Sequence, residues 1–319
     1  MESVTKAKKY IKSLENEKVT KKPLIVDCDP GIDDALALVL LSENLDKFDL
    51  KLICSCAGNT PIELTTKNIQ FFAENFFNGV TVARGSKTAL VKVKDKDASD
   101  VHGKSGMGDF FVGEQIYPVK PNAVEEMKKV LTKATQPVTI VALGPLTNVA
   151  KLVVNYPELK SKVEKIYTMI GSINGNGNVT PYSEFNSYFD PEAFDLVSKC
   201  GIPLVINPME LGVESRIKKT VFANMPTKTI KDNLVKTLAE SIYEPLDPTS
   251  ICLFDPNTVV GLTHPEFYDF VPCDVLVYTD PKIGGRTILS ENKNSKSCYQ
   301  KVKNQEELNK YIIKTLFER

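Results

Sequence analysis

Several ingredients of common sites are scarce in this chain. Its 319 residues include two histidines and seven cysteines, and no two cysteines stand in CxxC spacing. A zinc site or a dithiol redox pair therefore has no support in the spacing. Cys28, Cys54, Cys56, Cys252 and Cys273 sit in or beside apolar runs and read as small buried hydrophobes. No apolar run approaches the roughly 18 residues of a membrane span. Net charge of either sign is missing too: Lys+Arg and Asp+Glu are both 40. Such a balance gives no field that would gather nucleic acid or an anionic membrane. The short basic clusters at 92–96 and 216–219 read as solvated surface. Residues 1–22 are polar and charged and lack the pattern of a secretory signal. They are expected to form a surface helix or a partly ordered arm. A reducing cytoplasm is the expected compartment.

What is present is ordinary globular material, 42% apolar and 25% charged, enough for a large core. Short apolar runs predict strands at 24–28, 51–56, 80–84, 138–143, 165–170 and 204–207, with weaker ones at 274–278 and 286–289. Helical periodicity falls between them, at 33–45, 62–77, 123–134, 146–154, 192–199 and 228–243, and again at 305–317. Continuous apolar strands alternating with helices predict a single α/β domain over 23–319. Its sheet is open and mainly parallel, with helices on both faces. Ligands of such sheets bind outside the carboxyl ends of the strands. Residues 85–121 break the rhythm and contain VHGKSGMGD; a loop this long in a compact domain is commonly functional.

The densest chemistry follows the first strand, in LIVDCDPGIDD at 24–34. Asp27 and Asp29 have strand spacing and point to one side. Asp29-Pro30-Gly31 is a turn signal. Asp33 and Asp34 open a helix, where acids complement the macrodipole by about 0.3–1 kcal/mol. Two like charges about 5 Å apart repel by roughly 3 kcal/mol at an effective dielectric near 20. Helix capping thus accounts for one or two of these acids and not for four. An oxygen-only cluster without a His or Cys pattern favours a hard cation, Ca²⁺ or Mg²⁺. Two reactions suit it. One is phosphoryl transfer through an aspartyl nucleophile, as in Mg²⁺ phosphatases of the DxD type, although Pro30-Gly31 departs from that pattern. The other is hydrolysis by a water held on the metal, with a carboxylate as base.

Further polar segments end other strand candidates: 55–60 (SCAGNT), 143–148 (LGPLTN), 177–186 (GNVTPYSEFN) and 253–257 (LFDPN). Each has a plainer reading alone. Asn59 suits a turn, Asp255 suits an N-cap, and Asn148 and Asn186 suit buried backbone. Together they make an oxygen- and amide-rich cleft suited to a polyhydroxylated ligand. His102, in the unusual loop, is placed as a polar contact or proton carrier. His264 in THPEF reads as a surface turn.

These motifs, in this order, resemble the inosine–uridine-preferring nucleoside hydrolases: DCDPGIDDALAL, AGN, HGKSGMG, VALGPLTN, GNVTPYSEFN and FDP. The resemblance runs from about residue 23 to the C-terminus. It implies a Rossmann-like α/β domain, a Ca²⁺ cofactor, a homodimer or homotetramer, a role in nucleoside salvage, and hydrolysis of the N-glycosidic bond of ribonucleosides. Carried over, Asp29 would bind Ca²⁺ and act as the base that activates its water. Asp34 and Asp255 would be further ligands, with the backbone carbonyl of Leu143. Asp33 and Asn186 would hold the ribose 2′- and 3′-hydroxyls, and Asn178 and Glu184 the 5′-hydroxyl. Asn59 would lie near the reacting centre, with Asp27 in support. Many relatives place a histidine before the late metal-binding aspartate; here that residue is Phe254, which carries no proton. His102 or stacking on Phe254 is left to serve the base. The rivals are the phosphatase and a nucleoside-binding paralogue without turnover.

Overall fold

The computed structural model describes residues 21–91, 97–242 and 247–317. Most of the arm at 1–22, the basic cluster at 92–96 and the end of the helix expected at 228–243 lie outside the described residues. The strands are β1 (Lys22–Cys28), β2 (Phe48–Ser55), β3 (Thr81–Arg84), β4 (Val119–Lys120), β5 (Val138–Ala142), β6 (Val163–Met169), β7 (Leu204–Asn207), β8 (Ile217–Lys218), β9 (Ser250–Ile251), β10 (Tyr268–Val277), β11 (Thr287–Glu291) and β12 (Cys298–Val302).

Ten of these form one sheet in the order β4-β3-β2-β1-β5-β6-β7-β12-β10-β11. Every ladder from β4 to β12 is parallel. Only β10 runs against its neighbours β12 and β11. β8 and β9 form a separate antiparallel pair. The chain steps outward from β1 through β4, then returns to β5 and steps the other way. The strand order therefore reverses between β1 and β5, and connections leave their carboxyl ends in opposite directions. That divergence opens a crevice.

Alternation along the strands builds a core on each face. Leu24 and Val26 of β1 and Ile53 of β2 join one cluster. Ile25, Leu52 and Cys54 join the other. The sheet is thus covered on both sides, as the continuous apolar strands imply. The helix Ile32–Ser42 leaves β1 after a turn and buries every residue from Ile32 to Leu41. It packs against the helix Phe254–Thr263, which is also buried almost all round.

The structure departs from the sequence reading in places. The helix Phe254–Thr263 and strand β12 were not expected. A helix buried on all sides has no amphipathic period to reveal it. β12 reads CYQKV, mixed in polarity, and its place is set by β7 and β10. β10 begins at Tyr268, not 274, because Asp269 and Pro272 break the apolar run. The long loop contains a short helix, Ser99–His102, and β4. None of the seven cysteines is in a disulfide, and the five expected inside are buried. Among the described residues no helix is long and apolar enough to cross a membrane.

Candidate active site

The LIVDCDPGIDD segment lies at the point where the strand order reverses. Asp34 does act in part as a helix cap: its Oδ2 accepts from the Gly31 N–H at 3.0 Å and its Oδ1 from the Asp29 N–H at 3.3 Å. Asp255 does not cap, contrary to its plainer reading. It is the second residue of Phe254–Thr263, behind Leu253 at the cap position. Two helix N-termini thus converge, and their dipoles favour the anions gathered there. Carboxylate oxygens of Asp33, Asp34 and Asp255 lie within 4.8 Å of one another, all buried.

Asp29 stands beside that trio. Its Oδ2 accepts from the Asn59 backbone N–H at 2.7 Å. Its Oδ1 is buried and has no partner among the described residues, as is Oδ1 of Asp33. The Asp29 carboxylate sits between two glycines. A Cβ on Gly58 would come within 1.9 Å of Oδ2, and one on Gly144 within 2.2 Å of Oδ1. These close approaches explain the glycines of AGN and LGP. Asp27 accepts from Asn148 Nδ2 at 2.8 Å, and Asn148 also bonds the Ser55 carbonyl at 3.0 Å.

Burial dominates the electrostatics. It raises Asp27 to about 8, against the Asn148 bond. It holds Asp29 well above the usual carboxylate range, and the Asp34 charge adds to this. Asp34 rises to about 7, through burial and the Asp33 charge. Asp255 is raised by burial and by its acidic neighbours, and a hydrogen bond shared with Asp34 favours the proton on Asp255. A group of anions held this far from its ordinary ionisation asks for a cation. The donors are oxygen throughout, and two buried carboxylate oxygens are unpartnered, so Asp33, Asp34, Asp255 and Asp29 fit a hard divalent ion.

The cluster borders a cavity of about 510 Å³, lined in part by Asp33, Asn59, His102, Leu143, Asn178, Glu184, Asn186, Phe254 and Asp255. Asp27, Asp29, Asp34 and Asn148 do not line the cavity, but it brings together most of the residues singled out for the site. Their roles are sharpened by their bonds. Asn186 Nδ2 donates to the Leu143 carbonyl at 2.7 Å and to the Met169 carbonyl at 3.0 Å. Glu184 caps the helix Phe185–Phe189. Its Oε1 accepts from Asn186 N–H at 2.8 Å, and its Oε2 from Gly171 and Ser187 N–H at 2.8 and 3.0 Å. Burial still raises Glu184 to about 7. Asn178 is exposed at the rim. His102 Nδ1 accepts from the Ile32 N–H at 3.1 Å and stands 3.8 Å from Asp33 Oδ1. The neutral ring therefore carries its proton on Nε2, and burial lowers its pKa. The Phe254 ring packs against Gly212, where a Cβ would come within 2.1 Å of it.

The sequence reading missed part of the lining. Met209, Val213, Ile242 and Cys252 also face the cavity. Arg216 was placed on solvated surface; instead it is half-buried and lines the cavity. These residues come from separate segments and share no motif, so the signal that joins them is the tertiary fold.

A family model described as inosine-uridine preferring nucleoside hydrolase matches residues 24–314. Non-specific ribonucleoside hydrolase RihC of Klebsiella pneumoniae subsp. pneumoniae is 34% identical over 258 residues, which span 81% of this chain and 84% of that one. The enzyme of the same description from Salmonella typhimurium is 34% identical over 268 residues, 83% of this chain and 87% of that one. Among solved structures, the plant nucleoside hydrolase PpNRh1 has a TM-score of 0.86 at 24% identity, covering 93% of this chain and 99% of that one. The purine-preferring ribonucleoside hydrolase from Gardnerella vaginalis has a TM-score of 0.83 at 22% identity, covering 92% and 98%. The two structures share the fold, while the sequence matches carry the family assignment. With the carboxylates, glycines and amides of its motifs gathered at one sheet crevice, the chain belongs to the inosine–uridine-preferring nucleoside hydrolase family and is a hydrolase of N-glycosyl bonds.

Proposed function

We propose that this protein hydrolyses ribonucleosides to ribose and free nucleobase with Ca²⁺ as cofactor, and that Asp29 is the general base. The observation that carries the reading is the buried group Asp33, Asp34 and Asp255 at a cavity wall, with the unpartnered Asp29 oxygen beside it. Asp29, Asp34 and Asp255 would hold the ion with the Leu143 carbonyl, and Asp33 is close enough to join them. When bound, Ca²⁺ supplies a Lewis acid that offsets the crowded charges and lowers the pKa of a water.

The chain's own groups supply the rest. Asp29 takes a proton from the attacking water as its oxygen bonds to C1′ and the C1′–N bond breaks. Buried carboxylates stabilise the positive charge that develops on the sugar. Water and departing base lie on opposite faces of the ring, as in inverting glycosidases. Asp33 and Asn186 would take the 2′- and 3′-hydroxyls, with Asn59 between them and the reacting centre. Asn178 and Glu184 would take the 5′-hydroxyl. Glu184 Oε1 has one backbone donor where Oε2 has two, so it keeps room for another. His102 and Phe254 would contact the base. The expected homodimer or homotetramer and the cytoplasmic, salvage setting belong to this same reading.

The test is release of free ribose from a panel of ribonucleosides, with and without chelator. We expect release that stops on chelation and returns with Ca²⁺. Asp29→Asn should lower kcat by about 100- to 10,000-fold. Removing the 2′-hydroxyl should slow the reaction strongly, because its buried partners are left unpaired. Phosphate release from sugar phosphates, without base release from nucleosides, would establish a phosphatase instead. Calorimetric binding of nucleosides with no turnover would establish a binding protein.

A further inference from the structure

We propose that Arg216 reads the departing nucleobase and selects bases that present a carbonyl oxygen to the cavity. This rests on the ribonucleoside hydrolase reading above. Arg216 is the only lysine or arginine among the described residues that line the cavity. Apart from His102, the rest of the lining is acidic, amide-bearing or apolar.

Its position is well held. Arg216 lies between the helix Met209–Glu214 and β8, and β8 is tied to β9 by the pairing of Ile217 with Ile251. Arg216 Nε donates to the Val213 carbonyl at 2.9 Å, and the Arg216 carbonyl accepts from Asn309 Nδ2 at 2.9 Å. One edge of the guanidinium is thereby fixed by its own chain. Among the described residues no ion pair engages the other edge. The two lysines that follow behave differently: exposed Lys218 pairs with Asp247 at 3.0 Å, and half-buried Lys219 bonds the Ile242 carbonyl.

The neighbourhood matches a base and not a sugar. Met209, Val213, Ile242, Cys252 and Phe254 give this part of the cavity apolar walls. It adjoins the sugar site, because Phe254 and Asp255 are consecutive. A guanidinium has donors and no acceptor, so it pairs with the carbonyl of uracil or hypoxanthine and not with the exocyclic amine of adenine.

The same contact serves the reaction. When the C1′–N bond breaks, its electron pair goes to the base, and the charge spreads through the ring onto the carbonyl oxygen. A fixed cation there stabilises the leaving anion. Phe254 has no proton to give, and with the charge held by Arg216 the base leaves as the anion without needing the His102 proton, then takes its proton from solvent. The proton that Asp29 removed from water returns to solvent, and nucleoside plus water becomes ribose plus neutral base.

The experiment compares wild type, Arg216→Met and Arg216→Lys, each loaded with Ca²⁺, on uridine, inosine, adenosine and p-nitrophenyl β-D-ribofuranoside. The last substrate carries a leaving group that needs no base recognition. Wild type should prefer uridine and inosine to adenosine. Arg216→Met should lose about 10- to 100-fold in kcat/KM on uridine and inosine, the size expected for a charged hydrogen bond. The loss on the nitrophenyl riboside should be at least about ten-fold smaller. Arg216→Lys should keep part of the uridine activity at a reduced uridine-to-nitrophenyl-riboside ratio, and this ratio carries the test if the Met variant fails to fold. Equal loss on all four substrates would mark a structural role, and no loss would remove Arg216 from recognition; either overturns the proposal. Silence of the wild type on all four would instead overturn the hydrolase reading on which it rests.

Discussion

The side-chain amide of Asn59 donates to Asp34 Oδ2 at 2.9 Å. The same residue's backbone N–H donates to Asp29 Oδ2 at 2.7 Å, and its amide also reaches the Asp29 carbonyl at 3.2 Å. One asparagine in the loop after β2 thus fixes Asp29, just past β1, and Asp34, in the first turn of the helix Ile32–Ser42. The parallel pairing of these strands makes it possible, since Asp27 and Cys28 lie opposite Cys54 and Ser55.

Truncation of that amide tests the relationship. Asn59→Ala keeps the backbone bond to Asp29 and loses the bond to Asp34. We predict a loss of about 1.5–3 kcal/mol in stability, the range for a hydrogen bond to a charged group. Turnover should fall with it, because Asp34 is freed to turn. Chemical denaturation and kcat/KM measure both, and values matching wild type would show that Asn59 does not order the cluster.

The glycine beside Asp29, the proposed base, gives a second prediction. In Gly144→Ala the new methyl would lie 2.2 Å from Asp29 Oδ1, so the carboxylate must move. A shift of about 1 Å in a reacting group can cost on the order of 100-fold. We expect kcat to fall by about that factor while circular dichroism stays native. Full activity would mean that Asp29 has room to spare, contrary to its packing.

A third prediction concerns protons and the cation. Without a cation, burial and the Asp33 charge push the Asp34 carboxyl up to about 7 from its ordinary 3.8. A pKa raised in the folded state means that the fold binds the proton more tightly than the unfolded chain. The associated stability is complete below about 3.8 and is lost as pH rises through about 7. Asp29 and Asp255 shift in the same direction. Melting temperature without Ca²⁺ should therefore fall between pH 5 and pH 8. The proposed Ca²⁺ would bind the ionised form, so its stabilising effect should be larger at pH 8 than at pH 5. Melting curves with and without Ca²⁺ at the two pH values decide this, and a Ca²⁺ effect independent of pH would contradict it.

The last prediction concerns Glu184, whose carboxylate accepts three backbone N–H groups. Glu184→Gln keeps the size but turns one acceptor into a donor facing a backbone N–H. We predict a cost of about 1–3 kcal/mol for the group left unsatisfied, together with a raised KM for nucleosides. Urea unfolding and steady-state kinetics supply the two readings; a neutral effect on both would leave Glu184 without a role in either loop or substrate.

Much of this was legible in the sequence. The apolar runs of β1, β5, β6 and β7 and the helices between them show through local pattern alone. Four acids within eight residues cannot be explained by a helix N-terminus, and that excess marks the candidate site before any fold is known. The Asp34 cap follows from short-range chemistry, whereas the bond from Asn148 to Asp27 and the close approach of Gly58 and Gly144 to Asp29 join segments far apart in the chain. The tertiary structure decided what local pattern cannot carry. The helix Phe254–Thr263 is buried on nearly all sides and has no period to betray it, yet it brings Asp255 against Asp33 and Asp34. Arg216 sits in a short basic run that reads as surface, and only the fold turns it toward a cavity shared with Phe254. A residue's type and spacing are properties of the chain, so motifs survive in sequence. Which side chain faces a common space depends on how distant segments pack, and that is settled only when the sheet reverses its order between β1 and β5.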